Sequence, residues 1–332
     1  MRSTPNRRRF LSTLSSTGVA ALFGSVNSSA QEAPPETTNI RLLKIPGICI
    51  APQYVAEELL HAEGFTTVQF IEVPLSQQWA ALAAGNLDMT MSFIAPYIVQ
   101  IDVGLPLVLL GGIHAGCFEL FGTERVKAIR DLKGKTVAVP ELGSPHHLFV
   151  AAMASHVGID SNRDINFIAH PVSDSIELLA GGKVDALMGF PPVPQELRDK
   201  QIGRVIVSSG LDRPWSQYFC CIVVTPWEFV HKHPVATKRA LRAILKATHF
   251  CAVEPERAAR LVADKGYSYD YSLQTMKEIA YARWRDYDTE DTIRFYSLRL
   301  HEAGMIKSTP NKIIAQGTDL RFFNELKREL KS

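Results

Sequence analysis

An α/β fold of two similar lobes facing each other across a cleft is predicted by three observations: an ungapped internal duplication, a strand–helix–strand pattern inside each copy, and two strand-like stretches that bracket the second copy. The first copy, residues 70–93, reads FIEVPLSQQWAALAAGNLDMTMSF, and the second, 97 residues downstream at 167–190, reads FIAHPVSDSIELLAGGKVDALMGF. Ten of the 24 positions match at that single offset, including Phe70/Phe167, Pro74/Pro171, Gly85/Gly182, Asp88/Asp185 and Phe93/Phe190. Each copy reads as a short strand, a Pro-containing turn, an amphipathic helix closed by Gly85 or Gly182, and a second strand opening at Asp88 or Asp185. A crossover of that length makes two parallel strands, which are normally covered on both faces, so each copy should nucleate its own lobe. Ligands gather beyond the carboxyl ends of such strands, here Ser92-Phe93 and Gly189-Phe190.

The chain opens differently from the way it continues. Asn6-Arg7-Arg8-Arg9-Phe10-Leu11 precedes a weakly apolar run to Val26 and small residues at Ser28-Ser29-Ala30. Residues 1–30 therefore resemble a twin-arginine export signal, and the run falls short of the ~20 apolar residues that span a bilayer. Its removal takes away four of the 36 basic side chains and none of the 34 acidic ones, leaving a slightly acidic chain unsuited to nucleic acid. A soluble, monomeric periplasmic protein is expected. Five cysteines (Cys49, Cys117, Cys220, Cys221, Cys251) match no zinc spacing, and the last three read as small buried hydrophobes. Neither a metal nor a cofactor is expected.

Residues 31–39 have the composition of a flexible leader, and the first strand should run from Ile40 to Ile45. The Gly/Pro-rich turn after it, residues 46–52, leads into a helix carrying Tyr54. Residues 111–122 alternate like a strand and lie between the copies, while residues 217–225 form an equally strong strand after the second copy. These are the expected crossings between lobes: residues 40–122 and 226–332 would make the first lobe, 123–216 the second, and 217–225 the second hinge strand. A strand at Thr136–Val139 should precede a helix that begins at Ser144 with Pro145 in its first position, a ready anion site after Gly143.

DLKGKTVAV (131–139), GSPHH (143–147) and LLAGGKVDALMGFPP (178–192) together resemble solute-binding proteins of the nitrate/sulfonate/taurine (NMT1/THI5-like) group of ABC importers, and the similarity extends over about residues 40–330. The resemblance implies a type II periplasmic-binding-protein fold with one small molecule in the cleft, and an ABC permease with its cytoplasmic ATPase as partner. It also implies that Gly143, Ser144 and His147 border the ligand, together with Phe190, Pro191 and the turn from Gly47, Ile48 and Cys49 to Gln53. The His114-x-Gly116-Cys117 stretch is similar to a motif facing the same cleft. The fungal pyrimidine synthases of this superfamily carry a Cys-rich run that is absent here.

The candidate wall is aromatic and small: Tyr54, Ser92, Phe93, Phe190, Trp215 and Tyr218, with Cys49, Cys117, His114, His146 and His147 as polar neighbours and Pro145 at the helix start. No Arg falls on the expected cleft turns, and only one of His146 and His147 should face the ligand. The expected function is capture of a small organic anion (sulfonate, or aromatic or carboxylic acid) or a heteroaromatic. No activated nucleophile can be assembled that would make the chain an enzyme. A pyrimidine-precursor-binding protein or related enzyme, and a periplasmic ligand sensor, are the competing expectations.

Overall fold

The computed structural model describes residues 32–330, and the candidate export signal lies outside them. Ten strands follow in chain order: β1 (Asn39–Lys44), β2 (Thr67–Glu72), β3 (Thr90–Phe93), β4 (Leu107–Ala115), β5 (Glu119–Gly122), β6 (Thr136–Val139), β7 (Asn166–Ala169), β8 (Ala186–Gly189), β9 (Arg204–Ser208) and β10 (Phe219–Pro226). They build two sheets of one design. In the first lobe β1 pairs with β2 in parallel, β10 runs antiparallel between β3 and β4, and a parallel bridge from Leu42 to Met89 joins the two pieces. The order is therefore β2-β1-β3-β10-β4. The second lobe reads β7-β6-β8-β5-β9, again with one antiparallel strand a single place in from the edge.

The duplication is visible in what each copy builds: β2, the helix Gln78–Ala83 and β3 in the first lobe, and β7, the helix Val172–Ala180 and β8 in the second. Both helices are followed by a glycine in the left-handed region, Gly85 at φ +72° and Gly182 at φ +64°, where a side chain would be strained. The aspartate three residues later does the same work twice. Asp88 accepts the Arg41 amide at 2.7 Å and the Arg41 guanidinium at 2.6 Å, and Asp185 accepts the Thr136 amide at 2.9 Å and the Arg125 guanidinium at 2.5 Å. Each arginine also donates to the carbonyl of its copy's glycine, Arg41 to Gly85 and Arg125 to Gly182. A charge-assisted clamp thus holds the helix end in both lobes, from Arg41 of β1 in the first and from Arg125, in the segment after β5, in the second.

The crossings differ from the sequence expectation. Residues 111–122 are two strands in two sheets, because the chain turns at Gly116 (φ +63°) and leaves the first lobe through Cys117 and Phe118. The boundary expected after 122 therefore falls before β5. Residues 217–225 are chiefly β10, a buried strand between β3 and β4 of the first lobe's sheet, and the return crossing runs through residues 209–218. The two crossings touch. A Cβ on Gly116 would lie 2.2 Å from the Gly210 Cα, and the Ser209 hydroxyl accepts the amides of Cys117 and Phe118 at 3.1 and 2.9 Å.

After Pro226 the chain is helical. The helix Pro234–Val253 packs on Ala51–Val55 and Glu57–Ala62, where Arg242 and Lys246 meet Glu63 at 2.8 and 2.9 Å. The helix Thr289–Glu302 touches both Ile94–Asp102 and Pro145–His156, so the C-terminal segment backs both lobes. No helix among the described residues is long and apolar enough to cross a membrane.

Candidate functional site

A cavity of about 1150 Å³ opens between the lobes at the carboxyl ends of β3 and β8. Its walls are mostly apolar: Ile45, Pro46 and Ile50 from the turn after β1, Phe93 from the end of β3, Phe118 from the first crossing, and Phe190 after β8. The helix Pro145–His156 aims its N-terminus here, with Pro145 and His146 on the wall. Of the residues expected at the site, Cys49, Ser92, Phe93, Pro145 and Phe190 line it.

The adjacent histidines divide their roles. His146 is 6% exposed, its ring lies over Phe190 at 5.0 Å and 32°, and its Nδ1 is buried without a hydrogen-bond partner. Burial pushes its pKa down to about 4, so the imidazole is neutral at pH 7. His147, expected on the wall, turns away: its Nδ1 accepts the Gly143 amide at 3.0 Å and its ring meets Phe167 edge-on at 4.5 Å. Gly143 forms that turn at φ +84°. Ser144 is 1% exposed and its hydroxyl accepts the His147 amide at 3.3 Å, capping its own helix behind the wall.

Other expected residues support the wall from behind. Gly47 lies under Phe190, whose Cε2 would be 2.8 Å from an added Cβ, and the Ile48 amide donates across the lobes to the Pro191 carbonyl at 3.0 Å. Gln53 is buried and stitches β1 to β3, donating to the Leu43 carbonyl and accepting the Met91 amide, each at 2.7 Å. Tyr54 donates to the Ile45 carbonyl at 2.5 Å and faces a smaller recess with Phe70 and Lys265. Trp215 and Tyr218 are not at the cleft, because the helix Thr289–Glu302 covers them: Phe295 stacks on Tyr218 at 4.0 Å and meets Trp215 at 5.4 Å.

The polar rim carries three lysines, each already paired at 2.6 Å: Lys44 with Glu72, Lys200 with Glu196 and Lys265 with Glu57. No arginine lines the cavity among the described residues. On the far side of the cleft, Arg198 joins Glu119 of its own lobe at 2.6 Å to Glu278 of the other at 2.8 Å, and Gln195 also donates to Glu278 at 2.9 Å.

The cysteines meet where their spacing did not predict. The Sγ atoms of Cys49, Cys117 and Cys221 all lie within 4.8 Å of one another, and Cys220 Sγ is 3.3 Å from Cys117 Sγ. Cys49 and Cys221 line the cavity, and all five cysteines are free. His114 sits opposite Cys221 in the β4–β10 register, with Nδ1 on the Gly116 carbonyl at 2.9 Å and Nε2 buried without a partner. Burial would lower the His114 pKa, but the neighbouring Cys221 outweighs it and the pKa is raised. Cys221 reads as core from its apolar neighbours. Its register opposite Phe93, invisible until the strands are paired, places it at the cleft.

Comparisons with known proteins agree with this geometry. The model of the NMT1-like family matches residues 35–264. A protein of Brucella abortus (strain 2308), named only as a binding protein, is 24% identical over 204 residues, 61% of this chain and 62% of the relative, so the match spans less than two thirds of that protein's length. The periplasmic nitrate-binding protein NrtA from Synechocystis PCC 6803 superposes with a TM-score of 0.74 at 14% identity, covering 90% of each chain. The alkanesulfonate-binding protein SsuA from Xanthomonas axonopodis pv. citri, bound to MOPS, superposes with a TM-score of 0.68 at 15% identity over 86% of this chain and 99% of its own. At such identities the structural likeness is one of fold, and with the family match it leads to one conclusion: the chain belongs to the NMT1-like family and has the two-lobed α/β fold of periplasmic binding proteins.

Proposed function

We propose that this protein is the periplasmic solute-binding component of an ABC importer, exported through the twin-arginine signal of residues 1–30, and that it closes on a small organic anion with an aromatic or heteroaromatic body. The observation that carries this reading is His146: a buried, neutral imidazole with an unpartnered Nδ1, set at a helix N-terminus on an otherwise apolar, aromatic wall. A buried polar atom without a partner costs about 1–3 kcal/mol, and a ligand oxygen that met it as the ring turned toward the cavity would satisfy it. The helix dipole favours that oxygen being anionic, while the faces of Phe93 and Phe190 suit a ring. With the rim lysines already paired, the described residues lining the site offer no free cation of the kind that would hold a small inorganic anion in a cavity this large. Contacts across the cleft (Ile48 to Pro191, and Arg198 and Gln195 to Glu278) support a closed form that a ligand touching both lobes would favour.

The test is calorimetry on the mature chain with an aromatic carboxylate, an aromatic sulfonate, their neutral amides, and nitrate. Binding of the acids in preference to the amides is expected. A ligand at 100 times its Kd should stabilise the fold by about 2.7 kcal/mol. Binding of nitrate with no response to the aromatic acids would overturn the assignment.

A further inference from the structure

Three thiols that are far apart in the chain converge on the floor of the cleft. Cys49 comes from the short 3-10 turn Ile48–Ile50 after β1, Cys117 from the first crossing, and Cys221 from β10. Their Sγ atoms lie within 4.8 Å of one another. Thiolates bound to zinc at about 2.3 Å in tetrahedral geometry stand about 3.8 Å apart, so closing the site asks for side-chain shifts of about 1 Å. A further observation bears on the cluster: Cys49 and Cys221 both open onto the cavity, which makes a metal held there accessible from the cleft.

We propose that Cys49, Cys117 and Cys221 form a three-thiolate site for a soft d10 cation, zinc(II) or copper(I), with its remaining coordination position facing the ligand cavity. Soft thiolate donors select such cations over magnesium, calcium or manganese. Binding exchanges thiol protons for the metal and changes no oxidation state, the protons leaving to solvent. Cys220, beside Cys117, is a neighbouring thiol outside the trio. The site stands whatever organic molecule fills the cavity, because no group of that molecule is needed to hold the metal.

The test uses the full mature chain, reduced, stripped with chelator and free of organic ligand. Titration with zinc(II) and with copper(I) against coloured competing chelators is expected to give one cation per chain, and cobalt(II) substitution a sulfur-to-metal charge-transfer band of three-thiolate intensity. Cys49→Ser, Cys117→Ser and Cys221→Ser should each weaken binding by more than the about 10–100-fold typical of losing an outer-shell partner, whereas Cys251→Ser, in the helix Pro234–Val253, should leave it unchanged. Failure of both cations to compete with the chelators, a cobalt(II) spectrum without thiolate bands, or equal affinity in Cys221→Ser and Cys251→Ser would each overturn the site. The cobalt(II) spectrum is read on the unsubstituted chain, so a serine variant that fails to fold does not protect the proposal. Thiol titration before loading identifies a Cys117–Cys220 disulfide, and a chain that keeps that bond under reductant and binds no metal also refutes it.

Discussion

The two copies of the duplicated unit share their framework and part company where they meet the cleft. Both keep the glycine in the left-handed region and the aspartate three residues on, and each aspartate is clamped to an arginine from outside its copy. At the end of the strand they diverge. In the first lobe Phe93 runs on into the helix Ile94–Asp102 and is 3% exposed, its ring packed among Phe118, Phe149 and Tyr296. In the second, Phe190 is followed by Pro191 and Pro192 and stays half-buried, against His146 and over Gly47. The turn after the first strand differs in the same sense: Gly47 starts a short turn with no side-chain cap, whereas Ser144 caps a helix of 12 residues. The duplicated halves thus keep what closes a strand–helix–strand unit and vary what a ligand would touch. Phe93 anchors the interior from the first lobe, and Phe190 and His146 form an adjustable wall from the second.

The sharpest way to break that contrast is to truncate the two matched phenylalanines. Phe93→Ala removes a fully packed ring and should cost about 3–5 kcal/mol in denaturant unfolding. Phe190→Ala should cost well under half of that in stability and should chiefly weaken binding of ring-containing ligands. Equal stability losses would mean that both rings are core and that the contrast is false.

The second lobe's wall also carries a titratable group. The folded pKa of His146 is near 4, below the about 6.5 of an unfolded histidine, so the folded state binds fewer protons between those values. Its contribution, up to about 3 kcal/mol, is fully present above pH 6.5 and is lost as pH falls toward 4. From pH 7 to 4 the unfolding free energy of the native chain should fall by up to about 3 kcal/mol relative to that of His146→Phe. Parallel curves would show that His146 does not titrate as a buried neutral ring.

The clamps probe what the halves share. Asp88→Ala strips a mostly buried carboxylate from an amide and a guanidinium and should cost about 2–3 kcal/mol. Asp185→Ala should cost about 1–2 kcal/mol, because Arg125 is more exposed than Arg41 and can be hydrated once released. A larger loss at Asp185 would reverse that explanation.

Local pattern made much of this legible. The repeat, the glycine turns, the Ser144 cap and the strand ends at Phe93 and Phe190 depend on neighbours a few residues away, and they lie in the structure where the sequence puts them. What the sequence did not carry depends on which face or which sheet a residue joins. Residues 111–122 alternate like a single strand, but the turn at Gly116, packed close to Gly210, divides them between lobes. Trp215 and Tyr218 have the composition of a ligand wall, but Phe295, some 80 residues away, covers them. The thiols of Cys49, Cys117 and Cys221 come from three elements, and no spacing rule encodes their meeting. Between His146 and His147 the choice lay in helical phase, which Ser144 decides by fixing where the helix begins.

The smallest effect expected separates that capping role from a binding one. The Ser144 hydroxyl accepts the His147 amide at 3.3 Å and is 1% exposed, so its place in the molecule is at the root of the helix rather than at the cavity surface. Ser144→Ala should then cost about 1 kcal/mol of stability, the usual value of a lost N-cap. Its effect on binding should be slight and alike for an acid and its neutral amide, because the helix dipole and the His146 imidazole stay in place once the chain is folded. His146→Phe should do the opposite, sparing ring stacking while removing the partner of the ligand's oxygen, and so weaken the acid by about 1.5–3 kcal/mol and the neutral amide by only about 0.5–1.5 kcal/mol. Calorimetry on both variants with one acid and its amide decides between these outcomes. If Ser144→Ala weakened the acid by tenfold and left the amide untouched, the hydroxyl would have to reach the ligand, and the wall of the second lobe would extend one residue further toward the start of its helix than the structure places it.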